Sequence, residues 1–402
     1  MQNHTAVASL MDSVERLDAW LLNLSRPVRA LCILLALASC AIQGARSIPR
    51  SYVDYRDTWL RGLAQPPGYG TDTIADMYES RVVLNDIRDM YTKSEVAQTP
   101  LEARTWSKTA SSPYPPTTLV TMAGLYWLGQ QTGVGFYGCV LLLGSLFLLV
   151  CAVYCWNTRW YLFPVMCLNA GYLATRFVSV QDTSYLLMLL VVMAALWSAR
   201  AHRGWCHPLM AIAIAIKLSP LAYAKDLTKA PRRESLIAVL ILVVGLVIPY
   251  AVWNNYLSIY ALQVHRKAHY GLNTVATLLG VCPFTLVLWY VEWRLDFDWE
   301  DRIGWSVVPV GLLLSISLNA FRHLALVLLV PDKRGARTVA GSLGLGAQYF
   351  LPASYGTGAV TYVIAGLLGV VLASYLARIG WNTIRGDLRH PGRSLAAMLA
   401  HR

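Results

Sequence analysis

The sequence predicts an all-α polytopic membrane protein of about twelve transmembrane helices, with one large loop after the first. Three observations carry this expectation. Mean hydropathy is +0.45, and 56% of the 402 residues are hydrophobic against 14% charged, too little polar surface to cover a water-soluble globule. Apolar stretches of near-membrane length recur along the chain. The net charge of +12 is spread through short segments between those stretches instead of forming one patch, which argues against a nucleic-acid partner and for membrane topology.

Taken in order, residues 1–27 read as an interfacial helix. Leu10, Val14, Leu17, Leu21 and Leu24 recur at helical spacing, with Asp12, Glu15 and Asp18 elsewhere around the helix. These acidic residues precede the first apolar stretch, so that stretch lacks the basic start of a cleavable signal and reads as a retained span. Spans are expected near 28–46, 117–131, 135–156, 160–178, 183–199, 206–224, 235–253, 272–293, 304–318, 322–331, 338–352 and 357–377. The body is thus 28–378, followed by a basic tail at 379–402. Several spans fall short of the roughly 20 residues of a full crossing and must be broken, tilted or buried among neighbours.

Charge bias sets the sidedness. With the N-terminus in the cytoplasm, Lys225, Lys229, Arg232, Arg233, Arg294, Arg302, Lys333, Arg334, Arg337 and the tail arginines fall inside. Arg159, Arg200, Arg203, Arg266, Lys267 and Arg322 fall outside. The bias favours two cytoplasmic termini and requires 304–331 to be split near Asn319-Ala-Phe-Arg-His323. Parity is weakest between 131 and 224, where Arg200 and Arg203 oppose it. On this topology 47–116 is one extracytoplasmic loop with nine acidic and eight basic residues. Within it, Thr71-Asp72 can cap a surface-lying helix that carries Ile74, Met77, Tyr78, Val82 and Leu84. The loop closes on Ser111-Ser-Pro-Tyr-Pro-Pro116, whose prolines hold the backbone extended.

Cys32, Cys40, Cys139, Cys151, Cys155, Cys167, Cys206 and Cys282 all lie in or at the ends of apolar segments. Nothing in their spacing marks a disulfide-bonded ectodomain or a zinc site, so no metal or cofactor is expected. The acidic run Asp296-Phe-Asp-Trp-Glu-Asp301 falls on the cytoplasmic side and reads as a solvated loop. Asp54 and Asp57, in Ser51-Tyr-Val-Asp-Tyr-Arg-Asp-Thr58 just after the first span, are either solvated loop charges or carboxylates held at the membrane surface. Lys217, inside an apolar stretch, either snorkels to the cytoplasmic surface or faces a site. His323 sits within apolar sequence, where a polar side chain is costly and a role is favoured. Val264-His-Arg-Lys-Ala-His269 can bind anionic headgroups or a substrate phosphate.

These motifs resemble, in order, those of the GT-C superfamily of membrane glycosyltransferases. More narrowly, they are similar to the polyprenyl-phosphate-mannose-dependent α-mannosyltransferases and related arabinofuranosyltransferases. The likeness rests on the Asp after span one, the long first loop and Tyr114-Pro-Pro116. It continues in Val180-Gln-Asp-Thr-Ser-Tyr-Leu-Leu-Met188, Ala211-Ile-Ala-Ile-Ala-Ile-Lys-Leu-Ser-Pro220, Asn273 and Ser315-Ile-Ser-Leu-Asn-Ala-Phe-Arg-His323. The family pattern has Gly before Gln181, Asn near Thr183 and Pro before His323; this chain departs at all three.

The resemblance implies transfer of a sugar, with inversion, from a polyprenyl-phosphate donor to a lipid, glycan or protein acceptor. Asp54 would be the base, with Asp57 in reserve. His323, Arg322, Lys217, His265, Arg266 and Lys267 would face the donor phosphate, and Tyr114, Gln181 and Asn273 would line the substrate loop. A multi-span transporter or lipid flippase, or a lipid-linked glycan polymerase or ligase, would share many of these features. A flippase would favour an internal repeat and short loops.

Overall fold

The computed structural model describes residues 3–60, 80, 81, 83–85, 115–169, 183–227, 229–248, 271–317, 328–351 and 356–400, with 3–12, 47–60, 271–281, 313–317 and 356–358 as backbone only. The described residues are helical and contain no strand. Among the described residues, four helices are long and apolar enough to cross a membrane: Arg26–Arg46 within α2 (Arg26–Leu60), α4 (Gly135–Trp156), α6 (Thr183–Arg200), which follows the short α5 (Leu162–Cys167), and Ala359–Ile379 within α14 (Gly356–Ile379). Their surroundings differ. In α6, Tyr185, Leu186, Met188, Leu189, Val192, Met193 and Leu196 are all buried, so protein covers most of it, leaving only a face with half-buried Leu187, Leu190, Val191 and Trp197 and exposed Ala194. By contrast α2 exposes Leu31, Leu34 and Leu35, α4 exposes Leu142, Leu146 and Leu149, and α14 exposes Tyr362 and Val370. Contiguous apolar rows of that kind suit contact with lipid tails.

One end of the bundle is rich in charge. Near the end of α1 (Asn3–Leu22), Asp18 pairs with Arg159 beyond the C-terminus of α4, and the Leu21 carbonyl accepts from Trp160 at 2.8 Å. Arg200, ending α6, donates to the Asn157 carbonyl. Arg159 also donates to the Lys333 carbonyl, ahead of α13 (Ala336–Gly346). Arg378, near the end of α14, reaches Glu15 at 2.9 Å. These contacts bring the turns near 23–26, 157–161, 200–205, 331–335 and 378 together. The chain's first helix and the end of α14 therefore share one end of the bundle.

This arrangement corrects the expected topology within 131–224. Arg159, Arg200 and Arg203 were placed opposite Lys333 and α1, but they lie at the same end. Two features account for the difference. First, α3 (Pro116–Thr132) is not a crossing: a tight turn joins it to the far end of α4, while Thr118 near its start donates to the Ile216 carbonyl half-way through the bundle. The turn needs glycine, because Gly133 and Gly135 hold φ of 71° and 73° and a Cβ on Gly129 would lie 2.6 Å from the Gly135 backbone. Second, the expected span 206–224 is a hairpin. Helix α7 (Cys206–Ile216) enters from the charged end and stops at Lys217, and a 3-10 turn at Ser219–Tyr223 leads back. Tyr223 returns to within 3.1 Å of His207, beside the start of α7. The short helix α8 (Ala224–Leu227) then joins the charged end, and α9 (Arg232–Leu242) leaves it behind Pro231. The two departures cancel, so elements after 225 keep their expected direction.

The expected break in 304–331 agrees with the described residues. Helix α10 (Gly271–Arg294) ends at the charged end, where α11 (Trp299–Ser306) and α12 (Val308–Ser317) begin. Val330 is back there, accepting from Arg337. The acidic run, by contrast, is not a solvated loop. Asp298 caps α11 by accepting from the Asp301 N–H at 3.0 Å, and Glu300 and Asp301 are buried. Asp301 meets Arg334 at 2.9 Å, and Glu300 accepts from the Tyr154 hydroxyl. Burial, with Asp332 and Asp298 nearby and Arg334 opposing, pushes Asp301 up to about 7. Deeper in the same end, Asp226 faces Arg302 at 3.3 Å and Lys229 at 3.4 Å, and Lys225 pairs with Glu292. Enclosed carboxylates need such partners, since a buried charge without one is strongly unfavourable.

Two further helices, α15 (Trp381–Arg389) and α16 (Pro391–Ala400), fold back onto α10. Asp387 accepts from Tyr290 at 2.7 Å and from Arg294 Nε at 2.8 Å. Burial raises its carboxyl pKa, but the hydrogen bonds from Arg294 and Tyr290 prevail and hold it below the usual carboxylate range. A depressed folded-state value gives stability that is present above the unfolded-state value and lost as pH falls through the folded one. Asp387→Asn is therefore expected to lower the thermal midpoint at pH 7, with the gap from wild type closing as pH falls below about 4. Melting curves of the detergent-purified pair across that range check this; an equal gap at every pH would contradict it.

Candidate functional site

The site is built where α7 stops. Pro220 has no N–H to give the carbonyl of Ile216 four residues earlier, and its ring would clash with that carbonyl in a continuing helix. Lys217 accordingly leaves the helix with extended backbone, φ −147° and ψ 129°. The Ile216 carbonyl, freed at the break, accepts from the Thr118 hydroxyl. Beside it, the Gly245 carbonyl, in the wide turn Val243–Val247 that continues α9, accepts from Thr117. In a bilayer such freed carbonyls need internal partners, and the two threonines at the start of α3 supply them. Lys217 Nζ donates to Ser184 Oγ at 2.9 Å and lies 4.0 Å from the centroid of the buried Tyr185 ring. The hydroxyl and the ring face offset part of the about 2.5–3.5 kcal/mol cost of a charge at span centre.

This geometry bears on the snorkelling reading of Lys217. Along α7 the charged end is about 16 Å away at 1.5 Å per residue, and Nζ is directed to the first turn of α6. Ser184 is itself about 24 Å along α6 from Arg200. Lys217 is half-buried and does not reach the charged end: its ammonium meets Ser184 and Tyr185, while Thr117 and Thr118 bond the Gly245 and Ile216 carbonyls nearby. Neither contact of Lys217 is legible in the sequence, although Thr183 and Ser184 stand where the resembled motif carries Asn.

Asp54 and Asp57 are not in a loop: α2 runs unbroken from Arg26 to Leu60 through both. About 38 Å of helix separates Asp54 from Arg29, more than the roughly 30 Å hydrocarbon core. The first 14 residues of the expected loop are thus helix. Asn273 is in the first turn of α10. The side chains of these three residues, and all of Tyr114, Gln181, His265, Arg266, Lys267, Arg322 and His323, lie outside the described residues. So does the expected cap at Thr71-Asp72, though Ser80, Arg81 and residues 83–85 are helical. Tyr114 directly precedes buried Pro115, and Gln181 lies two residues before α6.

A second cluster sits at the charged end. Cys206, His207 and Glu234 bring one donor atom each to within 4.8 Å of one another. Cysteine and histidine spacing could not reveal it, because Cys206 and His207 are adjacent and Glu234 arrives 27 residues later, after the hairpin.

No protein-family model, curated protein or solved structure matches the chain. Fold and site together define a helical, membrane-embedded protein with a lysine at the tip of an interior hairpin.

Proposed function

We propose that this is an inverting GT-C-type glycosyltransferase that uses a polyprenyl-phosphate-linked mannose or arabinofuranose. One observation carries the reading. Three segments that resemble family motifs, at Tyr114-Pro-Pro116, Gln181 to Tyr185 and Lys217-Leu-Ser-Pro220, are far apart in sequence, yet Lys217 bonds Ser184, and Thr118, two residues past the first motif, bonds the carbonyl of Ile216, directly before the third. Short motifs recur by chance; packing of three at one interior position gives them a common purpose.

Sidedness follows from charge. The end gathering Arg159, Arg200, Arg203, Lys225, Arg294 and Lys333 is the cytoplasmic one by the positive-inside rule. Both termini are then cytoplasmic, and Lys217 and Asp54 lie toward the other face. The expected parity had set Lys217 and Gln181 against the extracytoplasmic site; the corrected one removes that conflict. Roles follow from chemistry. Asp54, or Asp57 in its place, takes the acceptor proton. Lys217, with His323, Arg322 and the His265-Arg266-Lys267 cluster, balances charge on the departing polyprenyl phosphate. Tyr114, Gln181 and Asn273 line the substrate loop.

The interior hairpin also favours a second reading, since transporters place broken helices and charged groups at mid-depth. Donor use separates the two. Purified protein in lipid discs, given labelled polyprenyl-phospho-mannose or polyprenyl-phospho-arabinofuranose with extracted envelope acceptors, is expected to transfer one sugar. Intact donors in both assays would count against the transferase.

A further inference from the structure

We infer that Cys206, His207 and Glu234 form a binding site for a divalent transition-metal ion of zinc type, at the charged end and away from Lys217. The donor set is sulfur, nitrogen and oxygen, the three atom types zinc takes from proteins. Four segments build it: the first turn of α7 gives Cys206 and His207, the first turn of α9 gives Glu234, the returning 3-10 turn gives Tyr223, and α11 gives Trp299.

The imidazole is held for ligation. His207 is 2% exposed, with Tyr223 stacked on it at 5.9 Å and Trp299 edge-on at 4.6 Å between ring centroids. The Tyr223 hydroxyl lies 3.1 Å from Nδ1. When that hydroxyl accepts from Nδ1–H, the lone pair of the ring falls on Nε2. Such partners commonly fix the tautomer of a ligating histidine.

Nε2 lies 3.8 Å from Glu234 Oε2, too long for a hydrogen bond. It is near the edge of a zinc tetrahedron, about 3.3–3.6 Å from the usual zinc–ligand lengths. Glu234 can stand there because residue 204 is glycine: a Cβ on Gly204 would lie 2.6 Å from Oε1. Charge also balances. Zinc displaces the Cys206 thiol proton to solvent, and one thiolate with one carboxylate neutralises the dication in an enclosed site. Three protein ligands leave a fourth position for water or another donor.

Metal binding by the full-length, detergent-purified protein tests this independently of any transfer activity. Stripped by chelation, reloaded with excess zinc and dialysed, wild type is expected to retain one zinc per chain. Cobalt(II) is expected to give the thiolate charge-transfer absorption and visible bands of a tetrahedral site. Cys206→Ser should abolish that absorption, while Cys282→Ser should leave it unchanged. Glu234→Gln, which keeps side-chain size and so guards against misfolding of the cysteine variant, should weaken zinc binding at least tenfold. Wild type without stoichiometric zinc, or a thiolate band that survives Cys206→Ser, would overturn the site.

Discussion

Asp54→Asn is expected to abolish measurable sugar transfer while the protein still folds. In an inverting transfer the acceptor hydroxyl must lose its proton as it attacks, and general-base catalysis contributes typically 10²–10⁴-fold. An aspartate near its ordinary value of about 3.9 is ionised at pH 7; the amide of asparagine has the same shape and no comparable basicity. The fold is expected to tolerate the change because α2 passes through residue 54 as continuous helix, and asparagine costs little helix propensity relative to aspartate. Size-exclusion profile and thermal midpoint should match wild type, and Asp57→Asn should lose far less turnover. Near-wild-type turnover from Asp54→Asn would remove it as the base, and loss from Asp57→Asn alone would transfer that role one turn along the helix.

Lys217→Met is expected to reduce kcat by about 10²–10³-fold, the scale seen when one preorganised charge-stabilising donor is removed. Methionine keeps much of the apolar stem and deletes the ammonium held by Ser184 and Tyr185. Stability should move the other way or not at all, because an interior charge is costly to insert. A purely structural lysine would give the reverse pattern, with a lowered thermal midpoint and a nearly intact rate per folded molecule. Measuring both quantities on one preparation therefore separates the roles.

Some of this was legible in the residues alone. Composition sufficed for a helical protein with apolar helices of membrane length, and the described elements after residue 225 reach and leave the charged end in the expected alternation. The charge bias failed between 131 and 224 for a specific reason. Apolar length cannot distinguish a crossing from a hairpin, and both α3 and the 206–224 segment are apolar enough to read as spans. Arg200 and Arg203 were the available warning, since their misfit vanishes once 206–224 turns back. Lys217-Leu-Ser-Pro220 held the signal for that turn, a proline just past an apolar run, but it was read only as a motif. The acidic run misled because charge density predicts exposure, whereas Arg334 and Tyr154 arrive from distant sequence to enclose it. Glu234 was invisible as a partner of Cys206 and His207 for the same reason.

Sealed vesicles containing the purified protein provide the most direct measurement. Donor carrying labelled sugar is supplied with acceptor on the face bearing Asp54, and free polyprenyl phosphate, product and the donor in each leaflet are quantified together. A glycosyltransferase of the proposed kind releases one polyprenyl phosphate per sugar transferred, with inverted configuration at the anomeric carbon. Intact donor redistributed between leaflets, with no polyprenyl phosphate released, would contradict it.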